Sequence, residues 1–329
     1  MTDIDTREVA VVCGGVGAAR FLRALSGVWP DHRTTAIVNT GDDTVLHGLS
    51  ISPDLDTVVY TLAEAIDPER GWGLRDETWR AMESLARYHA IRPDGSSAAP
   101  TWFNLGDRDL ATHLYRTARL AEGTTLTTVT AEIAHAWQLR QRIVPMTDQR
   151  VTTMVSLPLE RVEVPFQEYF VQRRHSVPVS SVRFDGIDTA FLGAEAARSL
   201  RDATAVVIAP SNPIVSIGPI RALDGVDRAL TARRATVAAI SPIVGGAALK
   251  GPADRMLLEL GHEASVVGVA RLYAPIASTL VIDPLDEEFA DDIRAEGMDV
   301  VVTPSVMSTP AVAHELARRT LAAAGIALG

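Results

Sequence analysis

Two groups of carboxylates lie close together near the start of the chain. One is Asp42–Asp43 in the run Asn39-Thr40-Gly41-Asp42-Asp43, and the other is Asp54 and Asp56 in Pro53-Asp54-Leu55-Asp56. Adjacent carboxylates repel, and a hard cation relieves that repulsion. Mg2+ suits the role, held by one or two carboxylates together with phosphate oxygens. A solvated acidic turn is the alternative reading of Gly-Asp-Asp. The second pair fits the first turn of a helix, where each acid complements the dipole by about 0.3–1 kcal/mol. Residues two apart on a helix face different sides. Asp54 is therefore expected mainly as a helix-start acid, and Asp56 as the one that reaches a ligand.

Other strings have the residue types of binding loops. Gly14-Gly15-Val16-Gly17 can bring backbone N–H groups and close backbone approach to an anion at a helix start. Its spacing matches neither the dinucleotide fingerprint nor a Walker loop, and a tight turn that binds nothing is the alternative. Ala209-Pro210-Ser211-Asn212-Pro213 offers hydrogen-bonding side chains, though Ser and Asn also favour turns for local reasons. In Leu105-Gly106-Asp107-Arg108-Asp109, Asp107 is positioned to cap the following helix. Arg108 could pair with a phosphate through its planar fork or sit in a surface ion pair. The loop from Ser241 to Pro252 brings Lys250, a point charge, onto a glycine-containing connection. No His-Glu-x-x-His, Cys-x-x-Cys or Gly-x-Ser-x-Gly string occurs.

These groups sit where an alternating α/β pattern puts them. Glu8–Cys13, Thr35–Asn39, Ala205–Ala209, Thr236–Ile240, Thr279–Ile282 and Val300–Thr303 read as short buried strands. Helical spacing follows the first strand from Gly17 to Val28. Ser52 and Pro53 suit the N-cap and first position of a helix running to about Ile66. Helices are expected at Asp76–Ala90, Asp107–Ala121 and Thr127–Leu139, with a Pro/Gly/Ser-rich loop at Arg92–Pro100 among them. Two more are expected at Glu287–Glu296 and Thr309–Ala323. Strands alternating with helices favour a mostly parallel, doubly wound sheet, built from residues 1–66 and 140–329, with 67–139 as a smaller helical insertion. Asn39 to Asp43 and Ser211–Asn212 then lie at carboxyl ends of strands, where open α/β sheets bind ligands.

Composition narrows the classes. The 329 residues are 47% hydrophobic, enough for a substantial core, and the net charge of −10 without a long basic run argues against nucleic acid. With one cysteine, Cys13, neither an intramolecular disulfide nor a cysteine-rich zinc site can form. No apolar run reaches membrane-spanning length, and the acidic start lacks the pattern of a secretory signal. A cytoplasmic location without membrane attachment is the expectation.

In order along the chain, GGVGAARFL, NTGDD, PDLDTVVYTL, DPERGWG, LGDRDLATHL, PMTDQRVTT, FQEYFV, APSNPIVSIGPI and SPIVGGAALKGPADRM occur. Together they resemble the 2-phospho-L-lactate transferase family of coenzyme F420 biosynthesis, and most of all its bacterial phosphoenolpyruvate-transferring members. The resemblance implies a Rossmann-like fold, a homodimer and Mg2+ as cofactor. It implies a guanosine diphosphate-linked donor carrying phosphoenolpyruvate or 2-phospho-L-lactate, and the deazaflavin Fo as acceptor. The Fo ribityl hydroxyl attacks the phosphorus that bears the organic acid, GMP leaves, and dehydro-coenzyme F420-0 forms. Asp42, Asp43 and Asp56 are the expected metal ligands, with Asp43 and Asp56 also catalytic. Asp54, Asp56 and Asn104 match the Fo side. Gly14, Gly15, Gly17, Asn39, Ser211 and Asn212 match the nucleotide side. The alternative class is a non-catalytic, nucleotide-sugar-binding regulator related to the same family.

Overall fold

The computed structural model describes residues 6–96 and 98–328. Its centre is a sheet of seven strands: β1 (Val9–Cys13), β2 (Thr34–Val38), β3 (Arg142–Pro145), β4 (Ala205–Ile208), β5 (Val237–Ile240), β6 (Thr279–Ile282) and β7 (Asp299–Val302). In space they run 3-2-1-4-5-6-7, and every pairing is parallel, with Val11 between Ala36 and Val207 at the middle of the sheet. Strands β1, β2, β4, β5 and β6 are buried at every position. That explains why they read as unbroken Val/Ala/Ile runs without a polar face.

Alternate residues of β1 feed two cores. Val9, Val11 and Cys13 pack with α1 (Gly15–Ser26), α2 (Pro53–Leu62) and the last helix, Pro310–Ala323. Ala10 and Val12 pack on the opposite face with helices Ala194–Asp202, Val226–Ala232 and Val266–Tyr273. The chain winds outward in one direction through β2 and β3 and in the other from β4 onward. The order reverses between β1 and β4, and the carboxyl ends there open a crevice. The expected doubly wound α/β architecture is the one observed.

Three helices separate β2 from β3 after α2: α3 (Arg80–His89), α4 (Asp109–Ala121) and α5 (Leu126–Ala136). No residue of α3 is buried, whereas Leu126, Val129, Ile133 and Ala134 of α5 enter the core beneath the sheet. The expected loop at Arg92–Pro100 lies between α3 and α4, with Ser97 outside the described residues. A short hairpin, Thr44–Leu46 with Leu49–Ile51, turns through His47 and Gly48, both at positive φ, the backbone a two-residue hairpin turn requires.

The sequence reading missed a second sheet. Thr152–Leu157 runs antiparallel between Val162–Pro165 and Ser181–Asp185. Its inward residues Val155 and Leu157 pack with Val164, Phe166, Tyr169 and Val215. Thr-Thr-Met-Val-Ser-Leu has the period of a strand, but its polar and apolar positions contrast weakly. Among the described residues no helix is long and apolar enough to cross a membrane.

Gly17 shows how tightly the crevice is closed at its base. A Cβ there would stand 2.5 Å from the Pro210 carbonyl oxygen. We expect Gly17→Ala to lose about 1–3 kcal/mol in denaturant unfolding, although alanine favours the helix, because the overlap is with backbone that has to shift.

Candidate active site

The crevice collects acids from three segments. Asn39, at the end of β2, accepts from the Gly41 N–H at 2.8 Å through Oδ1 and donates from Nδ2 to Asp54 Oδ2 at 3.0 Å and to the Val215 carbonyl at 3.4 Å. This fixes the turn that presents Asp42 and Asp43. Asp54 is no simple helix-start acid. It leaves its own helix, accepting from Asn39 and from the Gly15 backbone N–H at the start of α1. Burial nonetheless pushes its carboxyl up to about 6. Asp42 is driven well above the ordinary carboxylate range by burial, then by the charges of Asp54 and Asp43, with Thr153 and Asn39 pulling the other way. Burial also raises Asp43, opposed by a hydrogen bond from Ser52 and by the Arg116 charge. Ser52, expected as an N-cap, makes no cap bond and donates to Asp43 Oδ2 at 2.7 Å instead. A cavity of about 280 Å3 opens onto Thr40, Asp43 and Ser52. A larger groove, about 970 Å3, runs past Arg20, Arg23 and Arg140, and none of these acids lines it.

Asp56 faces another set of partners, as a residue two positions along a helix must. The Arg116 fork holds both its oxygens: Nη1 donates to Oδ2 at 3.1 Å and Nη2 to Oδ1. His113 lies between two carboxylates, Nδ1 at 3.7 Å from Asp56 Oδ2 and Nε2 at 3.2 Å from Asp109 Oδ2. Tyr60 donates to Asp109 Oδ1 at 2.5 Å. Burial opposes ionisation of Asp109, but His113, Tyr60 and Arg116 together outweigh it and the carboxyl is held below its usual value. Asp109, His113 and Arg116 come from one face of α4, and all are buried. Below them Glu77 ties the insertion together, accepting the Leu74 N–H at 2.7 Å and the Asp109 N–H at 3.2 Å.

The remaining expected residues fall in several places. Gly14 donates its N–H to Ser211 Oγ at 3.3 Å, and that hydroxyl donates back to the Gly14 carbonyl at 2.9 Å. The two crevice walls are thereby joined. A Cβ at Gly14 would meet Asp54 Oδ2 at 2.6 Å, and Gly15 has φ +76°, so close packing demands glycine at the first and left-handed backbone favours it at the second, with no ligand needed. Asn212 Oδ1 caps the turn Pro213–Ile217, accepting from Ile214 and Val215. Asn104 is exposed, next to buried Leu105. Arg108 donates to the Arg75 carbonyl at 2.7 Å. Asp107 caps α3 rather than its own helix: its carboxylate accepts the N–H groups of Arg80 and Ala81. Lys250 is exposed on its loop, beside Gly71. Sequence reasoning passed over Arg116, Tyr60 and Thr153. The signal for Arg116 was there: Asp109, His113 and Arg116 share one helical face.

Two groupings suit a cation. Asp56, Asp109 and His113 form a buried group, with one ligand atom from each lying within 4.8 Å of the others, so they could hold a metal ion. There, however, Arg116 and Tyr60 already occupy carboxylate oxygens. In the Asp42–Asp43 turn, Asp42 Oδ1, Asp43 Oδ1 and Thr40 Oγ1 are buried with no hydrogen-bond partner. Buried oxygens rarely stay unpaired, and an all-oxygen set is what Mg2+ prefers. Asp42 and Asp43 thus also offer oxygens that fit Mg2+, and theirs are unpaired where those of Asp56 and Asp109 are taken.

A parallel sheet with buried acids at its switch point defines a doubly wound α/β protein whose acids stand where such sheets bind ligands. Residues 9–314 match the model of the family described as 2-phospho-L-lactate transferase CofD, and the chain belongs to that family. It is 41% identical to the phosphoenolpyruvate transferase of Mycobacterium avium, with 97% of this chain and 99% of that one covered. It is also 41% identical to that of Nocardia farcinica (97% and 95%) and 40% identical to that of Mycobacterium tuberculosis strain H37Rv (97% and 99%). A solved Bacillus halodurans protein of the upf0052 family has the same fold at 14% identity, with TM-score 0.60 over 95% of this chain and 99% of that one. The chain is thus a transferase of coenzyme F420 biosynthesis that moves a phospho-acid group.

The buried acids make stability depend on pH and cation together. Folded Asp54 keeps its proton up to about pH 6, against an ordinary 3.8. Between those values the folded state binds the extra proton, so stability falls as pH rises through the window and the loss is complete above it. A cation bound beside the ionised acids would offset that loss. We expect Mg2+ to raise the melting temperature little at pH 5 and clearly more at pH 7; an equal shift at both would separate the ion from these acids.

Proposed function

We propose that this chain transfers the phosphoenolpyruvyl group of a guanosine diphosphate-linked donor to the ribityl hydroxyl of Fo, releasing GMP and forming dehydro-coenzyme F420-0. The observation that carries the reading is the near-full-length identity to phosphoenolpyruvate transferases, joined to a buried acid cluster at the carboxyl ends of β1, β2 and β4. The new bond joins the ribityl oxygen to the phosphorus bearing the organic acid. The bond broken links that phosphorus to the GMP oxygen, and GMP departs with the electron pair.

Such a transfer needs positioning and charge neutralisation more than covalent help. Asp42 and Asp43 hold Mg2+ in this reading; when bound, the ion screens the diphosphate and lowers the pKa of a hydroxyl beside it. Asp56, grouped with them in the sequence reading, keeps lone pairs beyond those given to Arg116, and we assign it to the acceptor. Asp43 and Asp56 flank the hydroxyl, and one of them takes its proton. Asp54 and Asn104 complete the Fo side. Gly14, Gly15, Gly17, Asn39, Ser211 and Asn212 form the nucleotide side, where the start of α1 favours negative charge. Two copies of the chain form the working unit.

The family's description favours 2-phospho-L-lactate as the donor's acid, with the same chemistry. Incubation with Fo, Mg2+ and each guanosine-linked donor, followed by chromatography for GMP and the deazaflavin product, separates the two. We expect the phosphoenolpyruvyl donor to turn over faster; no GMP from either donor, with nucleotide still bound, would replace the transferase with the regulator. Asp56→Asn is expected to lower kcat by about 100-fold or more while leaving the melting temperature of a folded protein measurable. Near-normal turnover at saturating Mg2+ would remove Asp56 from the chemistry.

A further inference from the structure

Among the described residues, Arg116 is the only lysine or arginine in the buried class, 2% exposed. Around it stand Asp56, joined by both oxygens, Asp43, which feels its charge, and His113 Nδ1 at 3.4 Å. Its Nη1 also reaches the Ser50 carbonyl at 3.4 Å, and Thr117, the next residue on α4, accepts the Ser50 N–H at 2.8 Å. The hairpin that follows Asp43 is thus fastened to α4 where Arg116 emerges. A planar fork binds a carboxylate in one orientation, which a lysine cannot do. Asp56 is therefore fixed in direction as well as in charge.

We propose that Arg116 is the positioning residue of the acid cluster, holding Asp56 against α4 and off the ion held by Asp42 and Asp43. This rests on the metal placement given above. An oxygen-ligated divalent cation binds more tightly as carboxylates are added. With Asp56 withheld, two carboxylates face the ion, and its other positions stay open to the donor's phosphates and the acceptor oxygen. Releasing Asp56 gives a tighter and less useful site: one more carboxylate faces the ion, and one cation nearby is gone.

The test reads cation affinity beside turnover, with Mn2+ as the probe and its free concentration measured by electron paramagnetic resonance. In Arg116→Met we expect the Mn2+ Kd to fall by about fivefold or more through lost repulsion and the added ligand, and kcat to fall by at least about tenfold. Arg116→Lys keeps charge but not the fork, and its Kd should lie between the two. In the double variant Arg116→Met, Asp56→Asn the Kd should return to within about twofold of the parent. A purely structural arginine predicts no tightening in any of these. A folded Arg116→Met protein with unchanged or weaker Mn2+ binding overturns the proposal. Should that variant not fold, Arg116→Lys decides, and an unchanged Kd there overturns it equally. Asp42→Asn and Asp43→Asn separate the two layers: parent-like Mn2+ affinity in both defeats the metal placement itself. Loss of affinity in them, without tightening at Arg116, defeats only the role of Arg116.

Discussion

Negative charge buried beside one arginine is the constraint to which the site is fitted. Asp42, Asp54, Asp56 and Asp109 are all buried, and a carboxylate removed from water without a partner either costs several kcal/mol or takes up a proton. The chain resolves this differently at each acid. Asp56 has a bidentate arginine, Asp109 has His113 and Tyr60, and Asp54 has Asn39 and the N–H of Gly15. Asp42 and Asp43 keep an oxygen each with no partner. The pattern of satisfied and unsatisfied oxygens, more than the number of acids, sets Asp42 and Asp43 apart from the acids around them.

The sheet makes this arrangement possible. Parallel strands buried on both faces bring their carboxyl ends, and the loops after them, to one edge. Gly14 follows β1, Asn39 follows β2 and Ser211 follows β4, so residues far apart in sequence meet at the switch point. Glycine at 14 and 17 then serves packing first, because Asp54 and the Pro210 carbonyl occupy the space of a side chain. A close internal approach and an anion cradle require the same residue, and spacing alone could not separate them.

Much of the fold was legible for the same reason. A strand buried on both sides has to be a short apolar run, and β1, β2, β4, β5 and β6 are such runs. The Asp42–Asp43 turn was legible because its position after β2 follows from strand order. Partner choice was not. Ser52 and Asp107 have the composition of local caps, yet Ser52 bonds to Asp43 and Asp107 caps α3 from across the insertion. Short polar side chains have many acceptable partners, and only the folded chain selects among them. The helix α4 is inverted with respect to the usual pattern: its buried residues are Asp109, His113 and Arg116, while Leu114 and Tyr115 are exposed. A search for an apolar stripe reads such a helix with the wrong face inward.

That inversion also sets this chain's crevice apart from the sheet that carries it. The Bacillus halodurans protein shares the architecture at 14% identity, and sheet likeness at that distance carries no chemistry. In this chain the buried polar face of α4, held in place by Glu77 at its first residue and by Thr117 at the hairpin, lies against Asp56 of α2. Changes on the outer face of the insertion, such as α3 with no buried residue, leave that contact intact. Changes at Asp109, His113 or Arg116 alter the charge facing the acids of the crevice. The helices between β2 and β3 therefore meet the crevice acids through one helical face, and the sheet supplies the edge at which that face is felt.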